Sequence, residues 1–123
     1  MAKTVAVIGA STNRRKYGNK ALRAFQQQGY TVFPVNTHET EVEGLRAYPS
    51  VLDIPVPLDM ATIYVPPASG LVVVQELARK GVGEVWLNPG ADEDEVLDRA
   101  RALGLNVIQA CSIIGIGESP SRY

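Results

Sequence analysis

Short runs rich in Val, Ile and Leu recur along the chain and alternate with segments whose apolar residues are spaced three and four apart. Lys3 to Ile8, Thr31 to Val35, Met60 to Val65, Glu84 to Leu87 and Asn106 to Ile108 are runs of the first kind. Their near-continuous apolar character predicts strands buried on both faces. Asn19 to Gln28, Ser69 to Lys80 and Asp92 to Leu103 have helical spacing, with Val74, Leu77 and Ala78, or Val96, Ala100 and Leu103, sharing a face. Gly29, Gly81 and Gly104 follow these segments where a left-handed helix cap would sit. Asp92 and Glu95 have capping-box spacing, and the acidic run between them complements the dipole of the third helix, so this run is read as capping rather than catalysis.

The stretch from Thr37 to Leu58 interrupts the alternation. It contains Pro49, Pro55 and Pro57 and leaves room only for a short helical turn capped by Ser50, so the second crossover is abbreviated. Strands alternating with helices predict an α/β, Rossmann-like domain of three layers with a five-stranded, mainly parallel sheet occupying residues 1–123. In such sheets ligands lie beyond the carboxyl ends of the strands, where strand order reverses. Gly9 to Lys20, Asn36 to His38, Pro66 to Ser69 and Asn88 to Ala91 all fall at those ends, so the polar loops are expected to converge on one rim.

Composition narrows what that rim can bind. The chain has 123 residues, twelve basic and thirteen acidic side chains, and a formal net charge of −1, which provides no global field for nucleic acid or an anionic membrane. Electrostatic recognition must then be local. The single cysteine, Cys111, rules out an intrachain disulfide, and no export signal or run of about 20 apolar residues is present, so a soluble cytoplasmic protein is expected.

Local charge is concentrated in the first rim loop. There an apolar strand breaks at Gly9 into a loop that runs into a helix, the arrangement in which free backbone N–H groups and the helix dipole hold a phosphate. Gly9-Ala10-Ser11 lacks the complete G-x-G-x-x-G fingerprint, and a glycine there also suits any tight turn. Ser11, Thr12 and Asn13 add short polar side chains, while Arg14, Arg15, Lys16 and Lys20 place four cations in one short segment, which favours a ligand carrying several phosphates over a merely solvated loop. After the second strand stands Asn36-Thr37-His38 where an NAD site offers Asp or Glu to the ribose, which weakens an NAD reading. His38, the only histidine, is either a solvent-exposed loop residue or a protonated contact for a ribose phosphate. Pro66 and Pro67 form a rigid apolar lip suited to a purine or an acyl-thioester arm, and Asn88-Pro89-Gly90 repeats the theme after the fourth strand. Cys111 is read as a buried structural thiol, because nothing in the sequence places His38 beside it. The apolar tail from Cys111 to Gly117 suits either a covering segment or a subunit contact.

The ordered set VAVIGAS, KYGN, VN after the second strand, GLRAYPSVLDIP, YVPP and WLNPGA resembles the CoA-binding domain family. These are stand-alone relatives of the N-terminal domain of the succinyl-CoA synthetase alpha subunit and of ADP-forming acyl-CoA synthetases. The likeness covers essentially the whole chain. It implies a CoA or acyl-CoA ligand held at Gly9, Ser11, Thr12, Lys16, Tyr17, Asn36, Val65, Pro66 and Pro67, with Asn88, Pro89 and Gly90 facing the thiol end; the residue reading adds Arg14 and His38. Many members continue V-N with proline and a basic residue, whereas Thr37-His38 stands here, which leaves the adenosine-end contacts open. The larger synthetases carry a phosphohistidine in a downstream domain, and the chain ends at Tyr123 without one.

The expectation is therefore a binding module with no catalytic residues and no metal, serving as a sensor, carrier or regulatory partner. Either a homodimer or a partner enzyme subunit fits it. Two alternatives stay open: an NAD(P)-binding redox or sensing domain, and an acyl-CoA-handling enzyme acting through Cys111 or a partner subunit.

Overall fold

The computed structural model describes residues 2–123. Strand β1 (Thr4–Ile8) leads through a long loop into α1 (Tyr17–Gln27), then β2 (Thr31–Val35), a small hairpin β3 (Glu41–Val42) and β4 (Leu45–Arg46), and a 3-10 turn over Val51–Asp53. The chain continues as β5 (Leu58–Ile63), α2 (Pro67–Lys80), β6 (Val82–Leu87), α3 (Asp94–Ala102), β7 (Val107–Gln109), a single-turn α4 (Ser112–Gly115) and a closing 3-10 turn, Pro120–Arg122. The five long strands form one sheet in the order β2-β1-β5-β6-β7, every pair parallel. This is the Rossmann-like α/β fold expected from the alternation of strands and helices.

Side-chain alternation along the strands builds the two faces. Val5, Val7, Val32, Met60 and Trp86 pack with Ala21, Leu22 and Phe25 of α1 and with Ile113 of α4. Their neighbours Ala6, Ile8, Ala61, Ile63, Val85 and Leu87 point the other way, against Val74 and Leu77 of α2 and Val96, Leu97 and Ala100 of α3. Because the central strand β1 is buried on both sides, it carries the unbroken apolar run seen in the sequence, whereas β7 at the edge has no buried residue. The tail from Cys111 to Gly117 covers the first face, with Ile113 completely buried.

Several local expectations shift. The first helix begins at Tyr17 rather than Asn19, and the second at Pro67 rather than Ser69. Pro66 and Pro67 thus do more than edge a loop: Pro66 is the N-cap and Pro67 the first helical residue, a position whose missing N–H costs nothing. The capping box at Asp92 does not form. Glu93 is the N-cap of α3, with no side-chain cap, while Asp92 accepts from Gly90 N at 3.2 Å and from Gln109 Nε2 at 3.1 Å, tying two rim loops together. Ser50 does cap the short turn, its Oγ accepting from Leu52 N at 3.1 Å. Gly29, Gly81 and Gly104 all take positive φ after their helices.

The abbreviated crossover also contains a hairpin that the sequence did not announce, turning at Glu43 and Gly44, both with positive φ. It has a structural use. Tyr48, just beyond it, donates its N–H to Pro34 O at 2.9 Å and accepts from Asn36 N at 3.0 Å, so this segment covers the open edge of β2.

Candidate functional site

The chain leaves β1, lays β2 on one side of it and returns to lay β5 on the other, so strand order reverses between β1 and β5. A cleft of about 590 Å³ opens at that point, at the carboxyl ends of both strands. Gly9, Ala10, Ser11, Lys16, Tyr17 and Gly18 form one wall. Asn36, Tyr64, Val65, Pro66, Pro67 and the Pro89-Gly90-Ala91 turn close the rest.

The narrowness of this wall follows from two glycines. Gly9 has φ +87°, and a Cβ there would stand 2.8 Å from Tyr64 O. At Gly18 a Cβ would stand 2.2 Å from Gly9 O, so the start of α1 lies directly on the end of β1. Only hydrogen in place of a side chain permits this approach. The loop between them is braced internally: Ser11 Oγ accepts from Asn13 N at 3.0 Å, and Asn13 Oδ1 accepts from Arg15 N at 3.0 Å.

Two helices begin on this cleft, and neither α1 nor α2 has a side-chain cap or an acidic residue in its first turn. Their free N–H groups and positive dipole ends are therefore available to an anion. Lys16 lines the same cleft and Lys20 stands 5.3 Å over the Tyr17 ring. Of the four loop cations, Arg14 is the one drawn away, pairing with Glu43 at 3.5 Å on the hairpin turn. Neither Arg14 nor Thr12 lines the cleft or its two neighbouring cavities.

A second cavity of about 370 Å³ shares Gly9, Asn36 and Val65 with the first and extends past Thr37 and His38 to Ser69, Val72 and Glu76 of α2. Asn36 organises the junction. Its Oδ1 accepts from His38 N at 2.7 Å and Glu39 N at 2.9 Å, while its Nδ2 donates to Ala10 O at 2.8 Å. With that side chain committed to the protein, the end of β2 presents no acidic residue of the kind an NAD ribose uses.

A third cavity of about 290 Å³ shares Tyr17, Tyr64 and Pro89 with the first and ends at Cys111, Ile114 and Pro120. Cys111 is half-buried and lines this cavity, which corrects its reading as a buried structural thiol. His38 lines the second cavity and Cys111 the third, so the two do not form a nucleophile–base pair.

Beneath the third cavity lies a network of buried polar groups. Asn88 donates to Thr62 Oγ1 at 2.7 Å and Ile63 O at 2.9 Å and accepts from Ser112 N at 2.8 Å. Ser112 Oγ lies 2.7 Å from Thr62 Oγ1 and 3.1 Å from Tyr64 Oη. Burial pushes the Tyr64 phenol up to about 12, outweighing the opposite influence of the Ser112 and Thr62 hydroxyls. Tyr64, Thr62 and Ser112 were not among the expected site residues. Tyr64 stood in the YVPP motif, but nothing in the sequence signals its hydroxyl partners.

Ten of the expected residues come together on the first cleft, namely Gly9, Ser11, Lys16, Tyr17, Asn36, Val65, Pro66, Pro67, Pro89 and Gly90. His38 joins through the second cavity and Asn88 through the third. Among the described residues no group of three or more His, Cys, Asp or Glu side chains could hold a metal, and no helix is long and apolar enough to cross a membrane.

Comparison with known proteins supplies the family. The profile of the CoA binding domain matches residues 3–117. The alpha subunit of an ADP-forming acetate–CoA ligase II from Pyrococcus furiosus is 35% identical over 115 residues, which cover 85% of this chain and 25% of the relative. Among solved structures, a conserved hypothetical protein from Pyrococcus furiosus is 33% identical with a TM-score of 0.83, over 94% of this chain and 99% of its own. The apo form of a dinucleotide-forming acetyl-coenzyme A synthetase 1 from Candidatus Korarchaeum cryptofilum is 31% identical with a TM-score of 0.75, over 88% of this chain and 26% of its own. The chain thus spans about a quarter of the length of the ligase subunit it matches. Its profile match over nearly all of the described residues, and its likeness to these relatives, place the chain in the CoA-binding domain family, whose named ligand is coenzyme A.

Proposed function

We propose that the chain, as one CoA-binding domain over residues 1–123, is a cytoplasmic module that binds CoA or an acyl-CoA through phosphate contacts and acts as a sensor, carrier or regulatory partner without catalysing a reaction itself. The carrying observation is the cleft at the strand switch point, where two uncapped helix starts and Lys16 meet. An anion there gains backbone hydrogen bonds and cationic neighbours at one place. Among the described residues the ion pairs are Arg14–Glu43 and Arg122–Glu118, so neither Lys16 nor Lys20 is engaged by a carboxylate. The close approach of Gly18 to Gly9 leaves the helix start bare, as a phosphate requires.

The ligand lies along the three connected cavities, with its phosphates on the Gly9 to Gly18 wall. Gly9, Ser11, Lys16 and Tyr17 hold the phosphate end, with Asn36 fixing the loop beside them, and Val65, Pro66, Pro67, Pro89 and Gly90 line the pantetheine path. Thr12 and Arg14 are left outside it. A partner subunit for the loaded module is part of the same proposal, by analogy with the ligase subunit.

The test compares CoA, acetyl-CoA, NAD, NADP and ATP by calorimetry and thermal shift. CoA at 100 times its dissociation constant is expected to add about 2.7 kcal/mol of apparent stability. Tighter binding of a dinucleotide, or no response to any CoA species, overturns the proposal. Lys16→Ala is expected to weaken CoA binding about tenfold and to flatten its salt dependence.

A further inference from the structure

The hydroxyl network beneath the third cavity has a direction that its hydrogens dictate. The Asn88 amide is fixed, because its Nδ2 faces Ile63 O and its Oδ1 faces Ser112 N, and a reversed amide would set oxygen against oxygen. Thr62 Oγ1 therefore receives a hydrogen from Asn88 and sends its own to Ser112 Oγ, 2.7 Å away. Ser112 in turn sends its hydrogen to Tyr64 Oη. Running the relay the other way would strand the Thr62 hydrogen in a site with no exposure at all. The phenolic hydrogen of Tyr64 is thus left with no acceptor among the described residues, on a side chain that lines both the first cleft and the third cavity.

That donor belongs to a residue lining a largely apolar pocket. Tyr17, Pro89, Ile114 and Pro120 wall it, and Tyr17 and Ile114 are 55% and 64% exposed despite their apolar character. Uncovered apolar surface beside a binding cleft marks a place where a ligand completes the burial. One hydrogen-bond donor followed by an apolar chamber matches a carbonyl oxygen followed by a hydrocarbon chain.

We infer that the third cavity receives the acyl group of a thioester and that the Tyr64 hydroxyl donates to the thioester carbonyl oxygen, which makes the preferred ligand an acyl-CoA rather than free CoA. This rests on the CoA reading of the first cleft and adds the class of ligand. Asn88, Thr62 and Ser112 act as positioning residues, since their relay holds the Tyr64 oxygen as an acceptor and turns its hydrogen outward.

The experiment compares free CoA, butyryl-CoA and the S-butyl-CoA thioether, which has the same chain length without the carbonyl, by calorimetry on the whole protein. Wild type is expected to bind butyryl-CoA about fivefold or more tighter than the thioether. Tyr64→Phe, which keeps the ring, should bring that ratio close to one, whatever it does to CoA itself. Ile114→Trp fills the chamber from an exposed position and should reduce the advantage of both butyl-bearing ligands over CoA. Equal binding of thioester and thioether by wild type, or a ratio unchanged in Tyr64→Phe, overturns the acyl assignment while leaving the CoA reading intact. Failure of all three CoA species to bind overturns the CoA reading and the acyl assignment with it.

Discussion

At the scale of single residues, the cleft depends on side chains that are absent as much as on those present. Gly18→Ala would drive a Cβ to 2.2 Å from the backbone oxygen of Gly9, and no rotamer can relieve a contact between backbone atoms. We expect a loss of about 3 kcal/mol in urea denaturation, together with weakened CoA affinity because the start of α1 must move. Asn88→Ala removes the hub of the buried network, taking the acceptor from Ser112 N and a donor from both Ile63 O and Thr62 Oγ1. A destabilisation of about 3 kcal/mol in the same measurement is expected, and a change below about 1 kcal/mol would show that the network is not needed for folding. The importance of Gly9 could be read in the sequence, since a strand-to-helix turn calls for glycine. That of Gly18 could not, because its constraint comes from a residue packed against it in space.

Among the elements, the C-terminal segment is attached to α1 by a knot around Glu118. Its carboxylate accepts from Gln28 at the end of α1, from Tyr123 Oη at 2.9 Å and from Arg122 Nη1 at 2.9 Å, while Arg23 of α1 donates to Tyr123 O at 3.0 Å. Hydrogen bonds from Gln28 and Tyr123 hold the Glu118 carboxyl below its ordinary value of 4.5. A carboxyl lowered in the fold contributes stability that is complete above its unfolded value and is lost as pH falls through the folded one. Acidification below that range should therefore loosen the tail before the sheet unfolds. The single tryptophan, Trp86, reports it, because Gly115 of α4 lies so close that a Cβ there would be 2.6 Å from the indole. A fluorescence change that precedes loss of far-UV circular dichroism, and that disappears in Glu118→Gln, is the expected result. The helices and long strands themselves were legible from periodicity, whereas the hairpin Glu41–Arg46 was not: its strands are two residues each, too short for any alternation to register. The Asp92 capping box failed for a related reason, since Asp92 satisfies Gly90 and Gln109 across the rim instead of its own helix.

For the whole molecule, the site belongs to no single segment. Its walls come from the loop after β1, the end of β2, the start of α2, the turn after β6 and the C-terminal tail. Because the raised Tyr64 phenol lies among these parts, alkaline stability reports on their assembly. A phenol at about 12 in the fold and 10.0 unfolded keeps its proton in the native state while the unfolded chain loses it. Stability should therefore be complete below about pH 10 and fall as pH rises from there toward 12, by on the order of 2 kcal/mol, and Tyr64→Phe should remove that loss in pH-dependent denaturation. The sequence by itself determined the five apolar strands, the three long helices and the gathering of polar loops at one rim, because strand burial, helical spacing and glycine turns act over a few neighbouring residues. Only the tertiary structure decided that Arg14 turns to Glu43, that Cys111 and His38 lie in different cavities, and that Thr62 meets Ser112 across fifty positions. Those outcomes depend on which side chains the packed sheet brings within hydrogen-bond reach, and no local pattern along the chain encodes that meeting.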